Sequence, residues 1–181
     1  MPFPKPYADA VAKLRVPSGF LLVAAFAWLA APTTQSLAIG GPVSIVGLLI
    51  RAWAAGHLAK NQQLATGGPY SYVRNPLYVG TLLVAAGLVI ATRRVELAWL
   101  FGAVFFLVYL PVIQNEEQHL RKLFPEYARY AERVPALVPY RVPAASTSRF
   151  RMELYVRNQE YQALIGYLLG LGLLVWRATS L

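Results

Sequence analysis

Five runs of apolar residues, each nearly free of charge, constrain this chain more than any other feature. They extend from about Gly19 to Ala31, Gly41 to Leu58, Pro76 to Ala91, Leu97 to Ile113 and Ala163 to Trp176. Runs of about 15 to 20 such residues suit helices that cross a bilayer, where each segment must satisfy its own backbone polar groups. The third run could instead be a buried helix of a soluble protein, but the same count favours the membrane. Of the 181 residues 57% are apolar, against about 45–50% in soluble domains, which leaves too little polar sequence to cover a water-facing surface. The expected fold is therefore all-α: a polytopic integral membrane protein of about five transmembrane helices, in a single domain over 1–181. Pro32 to Ser36 reads as an uncharged turn. Arg93-Arg94-Val95-Glu96 reads as a tight turn that pairs the third and fourth segments as an antiparallel hairpin. No internal repeat stands out.

The net charge of +9 comes from 17 Lys and Arg against 8 Asp and Glu. These cations flank the apolar runs, so they point to orientation and anionic lipid contact and not to nucleic acid. Assigned to alternate sides, 13 fall with Lys5, Lys60, Arg74 and the stretch 121–157, and 3 with Arg93, Arg94 and Arg177. The first side is expected to be cytoplasmic, with the N-terminus inside, in a prokaryotic inner membrane. The loops 59–75 and 114–160 then face the cytosol. No signal peptide is expected. The chain has no Cys, so no disulfide, thiolate nucleophile or thiolate metal site can form. His57 and His119 have no paired spacing, so no metal is expected.

Three places carry polar side chains where plain helix connections need none. The loop Gly68-Pro69-Tyr70-Ser71-Tyr72-Val73-Arg74-Asn75-Pro76-Leu77-Tyr78-Val79-Gly80 opens the third segment. Gly67-Gly68-Pro69 allows a sharp turn, Asn75 suits a helix N-cap and Pro76 its first turn. That account leaves Tyr70, Arg74 and Tyr78 unexplained. A helix N-terminus beside Arg74 suits an anionic group, and the aromatic rings suit an adenine or a sulfonium. The second place is the exit of the fourth segment, where helical spacing sets Glu116 beside His119 and Leu120. Glu116 is the better candidate to meet an amino group, and Glu117 reads as a solvated helix end. The third is Arg51, near the centre of the second segment. A charge there needs a partner. It reads as an internal ion pair with Glu153 or Glu160, or as an anion hook for a lipid substrate, with His57 nearby as a proton acceptor. Residues 150–161 read as an interfacial amphipathic helix that leads into the last span or closes the site.

Two motifs in order resemble the isoprenylcysteine carboxyl methyltransferase (ICMT)-like family of integral membrane S-adenosylmethionine-dependent methyltransferases. They are Tyr70-x-x-x-Arg74-Asn75-Pro76-x-Tyr78-x-Gly80, and Glu116-Glu117-x-x-Leu120 followed by Phe124, Tyr127-x-x-Tyr130 and Arg133-Val134-Pro135. The resemblance covers roughly residues 40 to 140, with the C-terminal helices at about 148–177 beyond it. It implies the cofactor S-adenosyl-L-methionine, contacted at Gln62, Gln63, Leu64, Ala65, Tyr70, Asn75, Pro76, Leu77, Tyr78 and Glu116. Arg74 and Glu116 are expected to be catalytic, and Arg51 and His57 to bind substrate. Asn75 stands where the family usually has His. Val112 stands where the eukaryotic enzymes hold substrate with an Arg. Methyl transfer to a lipid-like or prenylated amphipathic acceptor at the cytoplasmic membrane face is expected, with carboxylate O-methylation foremost. An NADPH-dependent membrane reductase and a non-enzymatic membrane subunit are the alternatives.

Overall fold

The computed structural model describes residues 3–140 and 148–180. Among these, every regular element is helical. Helix α1 spans Lys5–Leu29, α2 Thr34–Ala55 and α3 Pro76–Thr92. Helix α4, Val95–Val104, continues through one π-helical turn, Phe105–Tyr109, into α5, Leu110–Leu123. Two short helices, α6 at Tyr127–Arg133 and α7 at Met152–Arg157, precede α8, Tyr161–Ser180. Of the expected loop 114–160, residues 141–147 lie outside the described residues.

By length and composition, Thr34–Ala55, Val95–Leu123 and Tyr161–Ser180 can each cross a membrane. A fourth crossing arises if the limbs of α1, Lys5–Leu14 and Val16–Leu29, bent by 49°, form one span. Pro17 lies at that bend, where its ring withholds a backbone hydrogen bond. Helix α3 is apolar but only 17 residues long. The all-helical architecture is borne out, and three or four helices qualify as spans where five were expected.

Helix α2 starts seven residues earlier than its apolar run. Thr33 and Ser36 form a reciprocal capping box, Ser36 N donating to Thr33 Oγ1 and Thr33 N to Ser36 Oγ. That cap supplies partners for orphan amides and fixes the start at Thr34. The helix ends at Ala55, so Arg51 lies in its last turns and not near its centre as its apolar run implied.

Helices α2 and α3 lie against each other along a stripe of small residues. Gly40, Ser44 and Gly47 face Gly80, Gly87 and Ala91. A Cβ on Gly47 would stand 2.6 Å from the Gly80 carbonyl oxygen, so the backbones themselves touch. Ser44 Oγ donates to Val84 O at 3.0 Å, and Ser36 Oγ to Ala91 O at 2.8 Å. Where lipid is as apolar as a side chain, this close approach and these bonds hold helices together. At the turn after α3, Arg93 takes a left-handed φ of 57°, and α4 begins two residues later. The tight turn forms where it was expected.

The π turn combines a local feature with a distant one. Pro111 has no amide hydrogen to give to Leu107 O, and Tyr7 OH donates to that carbonyl instead, at 2.8 Å. Further bonds from Phe3 N to Gln114 Oε1 and from Asn115 Nδ2 to Asp9 Oδ1 seat the start of α1 along α5. Helix α5 then continues to Leu123, well beyond the apolar run, carrying Glu116 and Glu117 on an unbroken helix.

Candidate functional site

The two motifs meet through backbone and side chain. Arg74 N donates to Pro135 O at 2.8 Å, and Asn75 N to Ala136 O at 3.1 Å. The Arg74 guanidinium spans the junction. Its Nε and Nη2 bond the two oxygens of Glu117 at 2.9 and 3.1 Å, and Nη1 donates to Ala131 O and Val134 O. Asn75 Nδ2 adds a bond to Glu117 Oε1 at 3.0 Å. Glu117 is therefore half-buried in a clamp, which corrects its reading as a solvated helix end. The sequence hides this because the partner lies 43 residues away. Asn75 holds the N-cap position of α3 but makes no side-chain cap bond; its amide serves the clamp.

Beside the clamp lies a cavity of about 700 Å³, within the roughly 300–1,000 Å³ usual for small-molecule sites. The loop after α2 contributes Gln63, Leu64 and Ala65; the next loop and α3 contribute Tyr70, Leu77 and Tyr78; α5 contributes Val112 and Glu116. Gln62, Asn75 and Pro76 do not line it. With its oxygen turned toward Arg157, the Gln62 amide accepts from that guanidinium at 2.9 and 3.2 Å. Asn75 and Pro76 act from behind, by setting the start of α3.

Tyr70 is buried to 6% exposure, yet its hydroxyl has no hydrogen-bond partner among the described residues. A buried hydroxyl left so is costly, and this one borders the cavity. Its neighbour Tyr130 donates to Tyr70 O at 2.7 Å. Burial, and then the nearby Tyr130, Glu160 and Glu116, push the Tyr70 phenol far above its ordinary pKa. Burial also raises Tyr127 and Tyr130, with Glu117 contributing in both cases. All three rings therefore present protonated hydroxyls, unable to act as bases near neutrality. The sequence displayed Tyr127-x-x-Tyr130 at helical spacing, but only the fold shows that both rings line the cavity.

Arg51 and His57 do not share a site. Arg51 lines the large cavity, where Nε and Nη2 pair with Glu160 at 2.5 and 3.1 Å and Nη1 bonds Thr81 Oγ1. The internal pair with Glu160 is thus formed, while Glu153 pairs with Arg151 on the surface. Glu160 arrives because Asn158 Nδ2 caps the end of α2 through Ala55 O and Leu58 O, and Arg151 N bonds Gly56 O. His57 instead binds Trp53 O through Nδ1 and borders a smaller cavity of about 200 Å³. Thr81, Tyr109 and Asn61 also line the large cavity without any sequence signal. No group of three His, Asp or Glu residues suited to a metal occurs among the described residues.

A family model described as phospholipid methyltransferase matches residues 14–127, more than half of the chain. A cobalt-zinc-cadmium resistance protein of Cupriavidus metallidurans is 40% identical over 56% of this chain and 46% of its own length. A nickel-cobalt-cadmium resistance protein of Alcaligenes xylosoxydans is 36% identical over 62% of this chain and 52% of its own. The protein-S-isoprenylcysteine O-methyltransferase of Schizosaccharomyces pombe is 28% identical over 75% of this chain and 59% of its own. The chain thus spans about half the length of the first two relatives. No solved structure matches it.

Proposed function

This chain belongs to the phospholipid methyltransferase family, and we propose that it methylates a lipid-like, amphipathic acceptor using S-adenosylmethionine. The observation that carries the reading is the large cavity, where both motifs converge and the buried Tyr70 hydroxyl has no hydrogen-bond partner among the described residues. The donor set suits this cofactor. Glu116 offers a carboxylate to an amino group, Tyr70 a hydroxyl, Leu64, Ala65 and Leu77 an apolar wall for a purine, and Tyr78 and Tyr109 aromatic faces for a sulfonium. When bound, the cofactor supplies a methyl group already activated on a positive sulfur.

The chain's own contribution is then to align the acceptor and exclude water, effects that can contribute about 7–11 kcal/mol. A carboxylate acceptor needs no base, and Tyr70, Tyr127 and Tyr130, held protonated, offer none. Carboxylate O-methylation is the reaction put first; an amine or hydroxyl acceptor would call on His119 or Glu116, which also line the cavity. Arg74 serves as a positioning residue, since most of its donors are engaged by Glu117 and two carbonyls. With Val112 in place of a cation, prenylcysteine analogues should be poor acceptors. The charge asymmetry supports a cytoplasmic opening in a prokaryotic inner membrane, with α3 as a short fifth crossing beside α2. The test uses purified protein. S-adenosylhomocysteine should bind, and Glu116→Gln should weaken it by about 1.5–3 kcal/mol, the loss of one charge-assisted bond. Methyl-labelled S-adenosylmethionine added to membranes should label a lipid. A thermal shift with NADPH and none with S-adenosylhomocysteine would overturn the reading.

A further inference from the structure

Across the wall formed by Gln63, Leu64 and Ala65 lies the second cavity of about 200 Å³. Its polar lining includes Arg149, Arg151 and Thr66, and among the described residues no Asp or Glu borders it. Among the described residues, the acid paired with either arginine is Glu153, 2.9 Å from Arg151, in a pair with 56% and 72% exposed side chains. Exposed pairs of this kind are worth little, so the guanidinium can turn to a better acceptor. The cavity sits just past the end of α2 at Ala55 and just before α8 begins at Tyr161, two helices able to cross a membrane. Beside it, Met152 and Val156 expose apolar side chains, and Phe150, packed on Gly56 and His57, leaves part of its ring exposed. Cationic donors at the end of two spans, flanked by exposed apolar groups, match the surface of a bilayer: phosphate outside, acyl chain within.

From this placement we infer that the second cavity binds the phosphate of an anionic phospholipid headgroup, with Arg149 and Arg151 as its donors. Arginine forks fit phosphate oxygens in pairs. Gln63, Leu64 and Ala65 line both cavities, so a headgroup there braces the loop that walls the larger one. The site does not depend on the methyl-transfer reading.

The test places the full chain in nanodiscs of phosphatidylcholine with or without phosphatidylglycerol. Native mass spectrometry should show phosphatidylglycerol retained in preference to phosphatidylcholine. Hydrogen exchange over residues 59–67 should be slower in the anionic discs. Both effects should vanish in Arg149→Gln/Arg151→Gln and persist in Arg93→Gln/Arg94→Gln, whose cations lie at the far turn. Inorganic phosphate added to phosphatidylcholine discs separates a free anion from a lipid. Full slowing by phosphate, with no lipid retained, would overturn the assignment to a headgroup. Equal retention by the double variant and the unmodified chain would overturn the site itself.

Discussion

Replacing Glu117 by alanine tests the clamp that joins the two motifs. The substitution removes the acceptors of Arg74 Nε and Nη2 and one acceptor of Asn75 Nδ2. Both charged side chains are well shielded, at 14% and 17% exposure. Removing one partner of a fully buried pair costs about 3–5 kcal/mol, because the other charge stays behind uncompensated, and this pair is of intermediate burial. Arg74 keeps the carbonyls of Ala131 and Val134, and Asn75 keeps that of Ala136. The lower end, about 3 kcal/mol, is therefore expected. For a chain of this size that is a fall of roughly 6–12 °C in Tm. Thermal unfolding of the detergent-solubilised protein, followed by fluorescence, measures it. Glu117→Gln retains one acceptor and should fall between the two. A loss below about 1 kcal/mol for Glu117→Ala is what a solvated surface carboxylate would give, and it would refute the clamp.

Tyr70→Phe should leave the Tm unchanged or slightly higher, since its hydroxyl bonds nothing among the described residues. It should still weaken S-adenosylhomocysteine by about 0.5–1.5 kcal/mol in calorimetry, the worth of one neutral hydrogen bond. Gly47→Val should abolish stable expression, because a Cβ there meets the Gly80 carbonyl at 2.6 Å, whereas Gly166→Val, with nothing within 4 Å, should purify normally. Alkaline stability should reveal the raised phenols of Tyr70, Tyr127 and Tyr130. The folded chain keeps protons that the unfolded chain releases above about pH 10, so stability is full below that pH and falls as pH rises past it. Phenolate absorbance should appear together with unfolding, and Tyr70→Phe should flatten the slope.

Periodicity and composition decided by themselves that the chain is helical and membrane-bound, because burial in lipid demands apolar runs with internally satisfied backbones. Local chemistry also marked the turn at Arg93-Arg94, the sharp bend at Gly68, which takes a φ of 57°, and the start of α3 at Pro76. The two motifs were enough to point to the family that the comparisons bear out. Other features depended on groups far apart in sequence. Arg51 needs a counter-charge, but whether Glu153 or Glu160 supplies it depends on how Asn158 docks on the end of α2. Glu116 and Glu117 are adjacent in sequence. Yet the 100° step of a helix sends one to the cavity and the other to Arg74. The π turn could not be read from Pro111 alone, since its freed carbonyl is satisfied by Tyr7, 100 residues away. Short-range rules govern how each helix begins and ends, and the tertiary structure decided which polar groups answer one another, because a buried charge or carbonyl takes its partner from whatever the packing brings within 3 Å.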